Sequence, residues 1–418
     1  MVTYGLILAN IFVYLITSLE KGFLETADRW IDALAYIPSL LKYSHHWYRI
    51  ITCTFVHADI FHIFFNMYFL YVFGRGVELR LGRGRYLLLY MLSGLLATCF
   101  HTAFTPLTGS VGLVIPTVGA SGAISGVLGA HMLMFPTERL TAWFFIPFPI
   151  RVVTSSAYFL LFWFATQVLY GYGRFESGVA FFAHAGGFIG GIIGTWLLLK
   201  RMRLPLHARG LGKLAKGILT CLMLLLFFGA YACYKEAPSL TGVYVFNIET
   251  LQGQERSQDQ AVYTTYENEA LPPARSGPRV VFNRLNWAGL LVNGPGYACD
   301  CRENTYVSPP GMPQLQLKLE LSGYLSYDHA GILSFFRGSM TTDVLLTDRL
   351  GRVVGVEPGV RYDVSLKSEE VAGDLGERAL RPLSLVCLLS LALATWVVLA
   401  RSHQLAFPPM GYRLIVPA

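Results

Sequence analysis

Long apolar stretches separated by short polar or basic segments fill the first 235 residues and return once near the C-terminus. A helix needs about 20 mostly apolar residues to cross a hydrocarbon core about 30 Å thick. On that measure the pattern predicts eight spans, near 4–18, 60–76, 86–104, 119–135, 152–170, 180–199, 217–234 and 382–400. The first has no basic leading region and no small-residue cleavage site, so it reads as a retained helix. Between the last two spans the character changes abruptly to a polar stretch, residues 236–380, broken by Gly, Pro and Asn. Within it Gln314, Leu315, Gln316, Leu317, Lys318, Leu319, Glu320 and Leu321 alternate polar and apolar, a period of two that predicts a half-buried strand. Gly311 and Pro313 before the run, and Gly323 after it, supply turn signals. There is no internal repeat and no low-complexity tract.

The expected architecture is therefore an all-α polytopic membrane protein: a six-helix core, two additional transmembrane helices, and a β-rich soluble domain, for instance a sandwich, inserted between them. The boundaries follow the composition: 1–200 for the core, 201–235 for a basic linker and seventh helix, 236–380 for the soluble domain, and 381–418 for the eighth helix and tail. Composition agrees, with 54% hydrophobic and only 14% charged residues, far from an ordinary soluble domain.

Charge then sets the orientation. Arg75, Arg80, Arg83 and Arg85 flank the loop after the second span, and Lys200, Arg201, Arg203, Arg209, Lys213 and Lys216 follow the sixth. Such clusters stay in the cytoplasm. The N-terminus is then cytoplasmic, and the first loop (about 19–59), the starts of the fourth and sixth spans and the soluble domain lie outside. Lys21, Arg29, Lys42 and Arg49 oppose this within the first loop, which is long enough to carry charges across. Residues 236–380 hold 18 of the 26 acidic residues and 12 of the 33 basic ones, so the positive balance belongs to the membrane part. It reflects topology and gives no sign of nucleic-acid binding.

Two groups at matching depth carry the chemistry. Ser121 stands in Gly119-Ala120-Ser121-Gly122 at the outer end of the fourth span, and His184 heads His184-Ala185-Gly186-Gly187 at the outer end of the sixth. Serine is a weak nucleophile until a base takes its proton, and histidine titrates near the working pH. Gly122 and Gly126, Gly186, Gly190 and Gly194, and Gly187 and Gly191 recur every four residues, giving faces on which helices approach closely. Glycine faces with a serine also serve plain helix packing, and a histidine in a span can simply hydrogen-bond a neighbouring helix. Each motif alone is weak, and their joint occurrence carries the weight. On the second span His57, His62 and Asn66 sit among Phe61, Phe64, Phe65, Met67 and Tyr68; His62 and Asn66 share a face one turn apart. They can donate to a developing oxyanion, where losing one donor costs about 3 to 4 kcal/mol, or form a polar clasp between helices worth roughly 1 kcal/mol.

His57, His62 and Asn66, then Gly119-Ala120-Ser121-Gly122, then His184-Ala185-Gly186-Gly187 closely resemble, in that order, the rhomboid family of intramembrane serine proteases over about residues 1–200. Trp47-Tyr48-Arg49 resembles the family's Trp-Arg signature with one residue inserted, and Glu78, Arg80 and Gly82 also match its pattern. The resemblance implies a six-helix core with a water-filled cavity opening outward and a Ser-His dyad without a carboxylate. In that scheme Ser121 attacks, His184 acts as base and then acid, and His62, Asn66 and the backbone amide of Ser121 hold the oxyanion. No cofactor or metal is implied. The substrate is a transmembrane helix that enters between the second and fifth spans and unwinds, and the compartment is a bacterial inner membrane. Ser125 departs from the pattern, since several bacterial relatives carry there a tyrosine that stacks on the histidine.

A non-catalytic rhomboid-like protein that binds and escorts transmembrane helices is the alternative, and the presence of all four polar residues favours the protease. Cys53, Cys99, Cys221, Cys233 and Cys387 lie in or beside spans as small packing residues. Cys299 and Cys301 lie in the soluble stretch, where an oxidising compartment permits a disulfide with each other or with another partner.

Overall fold

The apolar stretches fold as helices in a computed structural model that describes residues 1–108, 113, 115–145, 149–173, 179–199, 210–237, 240–252, 255–266, 279–283, 286–291, 298–307, 315–327, 333–347, 353–373, 375–402, 405–407 and 414–417. Helix α1 (Val2–Ser18) leads into a first loop with two short helices, α2 (Asp28–Leu34) and α3 (Arg49–Thr52). The long helices α4 (Ile60–Leu81) and α5 (Arg83–Ala103) follow. Only Gly82 separates them, at φ +80°, a conformation open chiefly to a residue without a side chain. After the single turn α6 (Thr105–Thr108) come α7 (Ser121–Met134), a hairpin of β1 (Arg139–Phe145) and β2 (Pro149–Ser155), then α8 (Ser156–Tyr172), α9 (Phe181–Leu199) and α10 (Lys213–Glu236).

Among the described residues six helices are long and apolar enough to cross a bilayer: Val2–Lys21, Ile60–Leu81, Arg83–Ala103, Phe181–Leu199, Lys213–Lys235 and Arg378–Arg401. In this unit the chain is a predominantly helical polytopic membrane protein, with the side chains that face away from its interior strongly apolar, among them Leu8, Phe12, Phe61, Phe162 and Phe228. Two of the expected spans are corrected. The fourth, read as 119–135, is helical only over the 14 residues of α7, about 21 Å at 1.5 Å per residue. Its start is delayed because Gly119 adopts φ +115°, outside the helical region. The fifth, read as 152–170, becomes helical only at Ser156, because Val152, Val153 and Thr154 are β-branched and pair with β1 instead.

The first loop is tied down. Tyr36 and Thr117 exchange backbone hydrogen bonds of 2.9 and 2.8 Å, and the Tyr36 hydroxyl lies 2.6 Å from Thr102 Oγ1 on α5. Buried Arg49 donates from Nη1 to the Ala35 carbonyl at 2.9 Å, and Trp47 Nε1 donates to the Leu41 carbonyl. Glu78, 3% exposed, accepts from the amides of Val2 (2.7 Å) and Thr3 (2.9 Å) and from the Thr3 hydroxyl (2.7 Å). A carboxylate there answers amides at the start of α1 that have no partner within the helix. Arg80 lies over the ring of Phe407, 4.8 Å from its centroid, and the Phe407 amide donates to the carbonyl of Met134 at the end of α7.

The chain divides into two compact units, Met1–Pro238 with Gly376–Ala418, and Ser239–Leu375. The second consists of strands β3 (Leu240–Gln252), β4 (Glu255–Tyr266), β5 (Arg279–Asn283), β6 (Asn286–Leu291), β7 (Ala298–Val307), β8 (Leu315–Tyr327), β9 (Leu333–Thr347) and β10 (Val353–Gly373). Six form a sheet in the order β4-β3-β10-β9-β8-β7, with antiparallel neighbours, and β5 pairs with β6. The alternating run from Leu315 to Leu321 falls on β8; Gln314 lies outside the described residues. Cys299 and Cys301 fall on β7, and the state of their thiols lies outside the described residues. The chain then returns to the first unit through α11 (Arg381–Trp396), and β11 (Leu414–Pro417) pairs in parallel with β1, Leu140 opposite Leu414.

Candidate active site

The close approach of α7 and α9 follows from their glycines. A β-carbon built on Gly187 or Gly191 would fall on the carbonyl oxygens of Gly122 and Gly126, and one on Gly129 would fall on the carbonyl of Phe188. Helix α5 packs as tightly: Gly122 meets the Ala97 methyl, Gly126 meets Ser93, and Gly186 meets the Phe100 side chain and the Leu96 carbonyl. With no larger residue to hold the backbones apart, the three helices pass at a separation that only glycine and other small residues permit.

That packing sets the start of α7 beside the first turn of α9. Ser121 Oγ lies 2.8 Å from His184 Nε2, within hydrogen-bond reach for proton transfer. Both residues are partly exposed rather than sealed in the interior. The other ring nitrogen of His184, Nδ1, lies 2.7 Å from Oε1 of Gln167 on α8. Trp163, one turn earlier on α8, places its ring 6.0 Å from the imidazole, centroid to centroid. Gln167 was not among the expected site residues. Its signal was present in the chain as an amide within an apolar stretch, where a polar group calls for a partner.

The segment before α7 is held by the loop before α4. The Gly119 amide donates to the Cys53 carbonyl at 2.8 Å, and the Ala120 amide points to His57 Nε2 at 3.4 Å. His57 is fully buried, and burial pushes its pKa down to about 3, so it stays neutral and can accept. At the start of α4 Asp59 accepts from the His62 amide at 2.8 Å, an N-cap that orients the first turn. The His62 ring packs against the face of Gly119, where a β-carbon would come within 2.6 Å of Nε2. His62 thereby meets the backbone two residues before Ser121. Asn66, one turn further along α4, donates from Nδ2 to the His62 carbonyl at 2.8 Å, leaving its second N–H for another acceptor. The structure thus brings Ser121 and His184 into direct contact and His62 to the adjoining backbone, while Asn66 is tied to His62. Ser125, at the position of the departure, donates to the Ser121 carbonyl at 2.6 Å and so turns toward its own helix.

The Rhomboid domain family model matches residues 44–201. Similar proteins include the Rhomboid protease GluP of Bacillus subtilis, 27% identical over 45% of this chain and 33% of its own length. Rhomboid protein 1, mitochondrial, of Saccharomyces cerevisiae is 27% identical over 47% of this chain and 53% of its own. RHOMBOID-like protein 1 of Arabidopsis thaliana is 32% identical over 39% of this chain and 37% of its own. The chain therefore spans between about a third and about half of the length of these relatives.

Proposed function

From the rhomboid domain at residues 44–201, we propose that this integral membrane protein is an intramembrane serine endopeptidase that cleaves transmembrane helices near the outer face of the bilayer. The observation that carries the reading is the 2.8 Å approach of Ser121 Oγ to His184 Nε2 from two different helices. In the proposed reaction the Ser121 oxygen adds to the scissile carbonyl as its proton passes to Nε2. The imidazolium then gives that proton to the departing amine as the C–N bond breaks, leaving an acyl ester on Ser121. Water, deprotonated by the same imidazole, hydrolyses the ester and restores the hydroxyl. A positioned base of this kind contributes about 10²- to 10⁴-fold.

The oxyanion is held by the Ser121 backbone amide, in the first turn of α7 where amides lack intrahelical acceptors, together with His62 and Asn66. Access for water is supported by the partial exposure of Ser121 and His184. A substrate helix must unwind locally, since its carbonyls are hydrogen-bonded and shielded by side chains. The N-terminus lies in the cytoplasm of a bacterium with the site opening outward through the inner membrane, supported by the arginines and lysines beside α4, α5 and α10. Residues 236–380 form an extracytoplasmic β-rich domain that selects substrates, carried between two helices additional to the six-helix core.

The test is labelling of the detergent-solubilised full chain with a fluorophosphonate, with cleavage of a single-span substrate read alongside. Labelling of the wild type that Ser121→Ala and His184→Ala abolish is expected. Equal labelling of all three would remove the protease and leave the helix-binding alternative.

A further inference from the structure

Among the described residues no carboxylate contacts Ser121 or His184, yet a base must present one nitrogen without a proton to the nucleophile. The imidazole can carry its single proton on either nitrogen, and only the form with the proton on Nδ1 leaves Nε2 free to accept from Ser121. Something must select that form.

We infer that Gln167 is the positioning residue of the base: its side-chain carbonyl selects the Nδ1-protonated form of His184 and holds the ring toward Ser121. The direction of every bond around it is fixed by its far end. The Trp163 carbonyl has no proton to give, so Thr166 Oγ1, at 2.7 Å, donates to it. The lone pairs of Thr166 then face Gln167 Nε2 at 3.2 Å, and Nε2 also lies 3.4 Å from the Trp163 carbonyl. The amide nitrogen therefore points back along α8, which leaves Oε1, an acceptor only, facing His184 Nδ1 at 2.7 Å. Nδ1 must donate, Nε2 is left with its lone pair, and the Ser121 hydroxyl donates to it at 2.8 Å. Four hydrogen bonds run in one sense from Ser121 through His184, Gln167 and Thr166 to a backbone carbonyl, and bonds aligned this way strengthen one another. Gln167 is 8% exposed, so water does not readily replace it. Ser125 is turned to its own backbone, and the ring is flanked by Trp163 and held by hydrogen bonds at both nitrogens. A neutral amide is suited to the place: it sets the tautomer as a carboxylate would, without bringing a buried charge into the membrane.

The inference rests on the protease reading, and the experiment separates the two. Cleavage of a single-span substrate is followed across pH for the full-length wild type, Gln167→Leu and Gln167→Glu. Leucine fills similar space and cannot accept, so kcat should fall about ten- to a hundredfold while KM stays within about twofold. Glutamate restores the acceptor and should recover most of kcat, with the acid limb of the kcat/KM profile moved to higher pH, because a carboxylate favours the imidazolium that cannot act as base. Wild-type kcat in Gln167→Leu would overturn the inference alone. Equal loss in both variants, with no displacement of the acid limb, would reduce Gln167 to packing and also overturn it. A wild type that neither cleaves nor takes the fluorophosphonate would remove the protease and this role with it.

Discussion

Gly187 on α9 lies directly against the carbonyl oxygen of Gly122 on α7, and a methyl group at Gly187 would occupy the position of that oxygen. This contact is one residue from Ser121 and three from His184. The distance between Ser121 Oγ and His184 Nε2 is thus a product of helix packing, and no side chain at the contact can adjust to relieve a clash with backbone.

Gly187→Ala should force α7 and α9 apart and separate Ser121 from His184. Overpacking of this kind costs about 1–3 kcal/mol, so the solubilised variant should unfold at lower temperature and lose fluorophosphonate labelling at Ser121. Gly217→Ala, at a position with no atom near its β-carbon, is the matched control and should change neither.

His62 and Asn66 make a separable prediction. His62→Ala and Asn66→Ala should each lower kcat by about 10²- to 10³-fold, the effect of losing one oxyanion donor. The thermal midpoint of each should move far less than that of Gly187→Ala. A polar clasp would show the reverse, with lost stability and little change in kcat.

Glu78 answers three donors at the start of α1 from a buried position. Glu78→Ala leaves those donors without their acceptor, at about 1–3 kcal/mol per unsatisfied buried group. The expected result is a lower thermal midpoint and faster hydrogen exchange in residues 1–18, with the Ser121 site still labelled in the molecules that remain folded. Unchanged exchange in α1 would show that the carboxylate does not hold it.

Residues 239–375 form a compact unit of their own. Replacing them with a short flexible linker should leave cleavage of a generic single-span substrate within about twofold of the intact chain and alter the ranking among different substrates. Complete loss of cleavage in a well-folded deletion would make these residues part of the catalytic unit.

The amino-acid order alone determined most of the helices and singled out Ser121 and His184 as the candidate pair. Apolar runs of about 20 residues leave few alternatives once backbone groups must be satisfied without water, and Ser121 and His184 announce themselves as polar groups flanked by glycine. Composition also separated residues 236–380 from the rest, and the alternating run that ends at Leu321 lies on β8. Hydropathy averages over a window, however, and could not see where Gly119 interrupts the helical backbone or that Val152 to Thr154 prefer a strand partner. Nor could it connect distant parts: Glu78 with Thr3, Arg80 with Phe407, and Gln167 with His184 are pairs far apart in sequence. A hydrogen bond depends on direction and on a few tenths of an ångström, and those are set only when helices dock. The tertiary structure therefore decided how the His184 ring is held, because orientation is a property of packed neighbours and no single segment carries it.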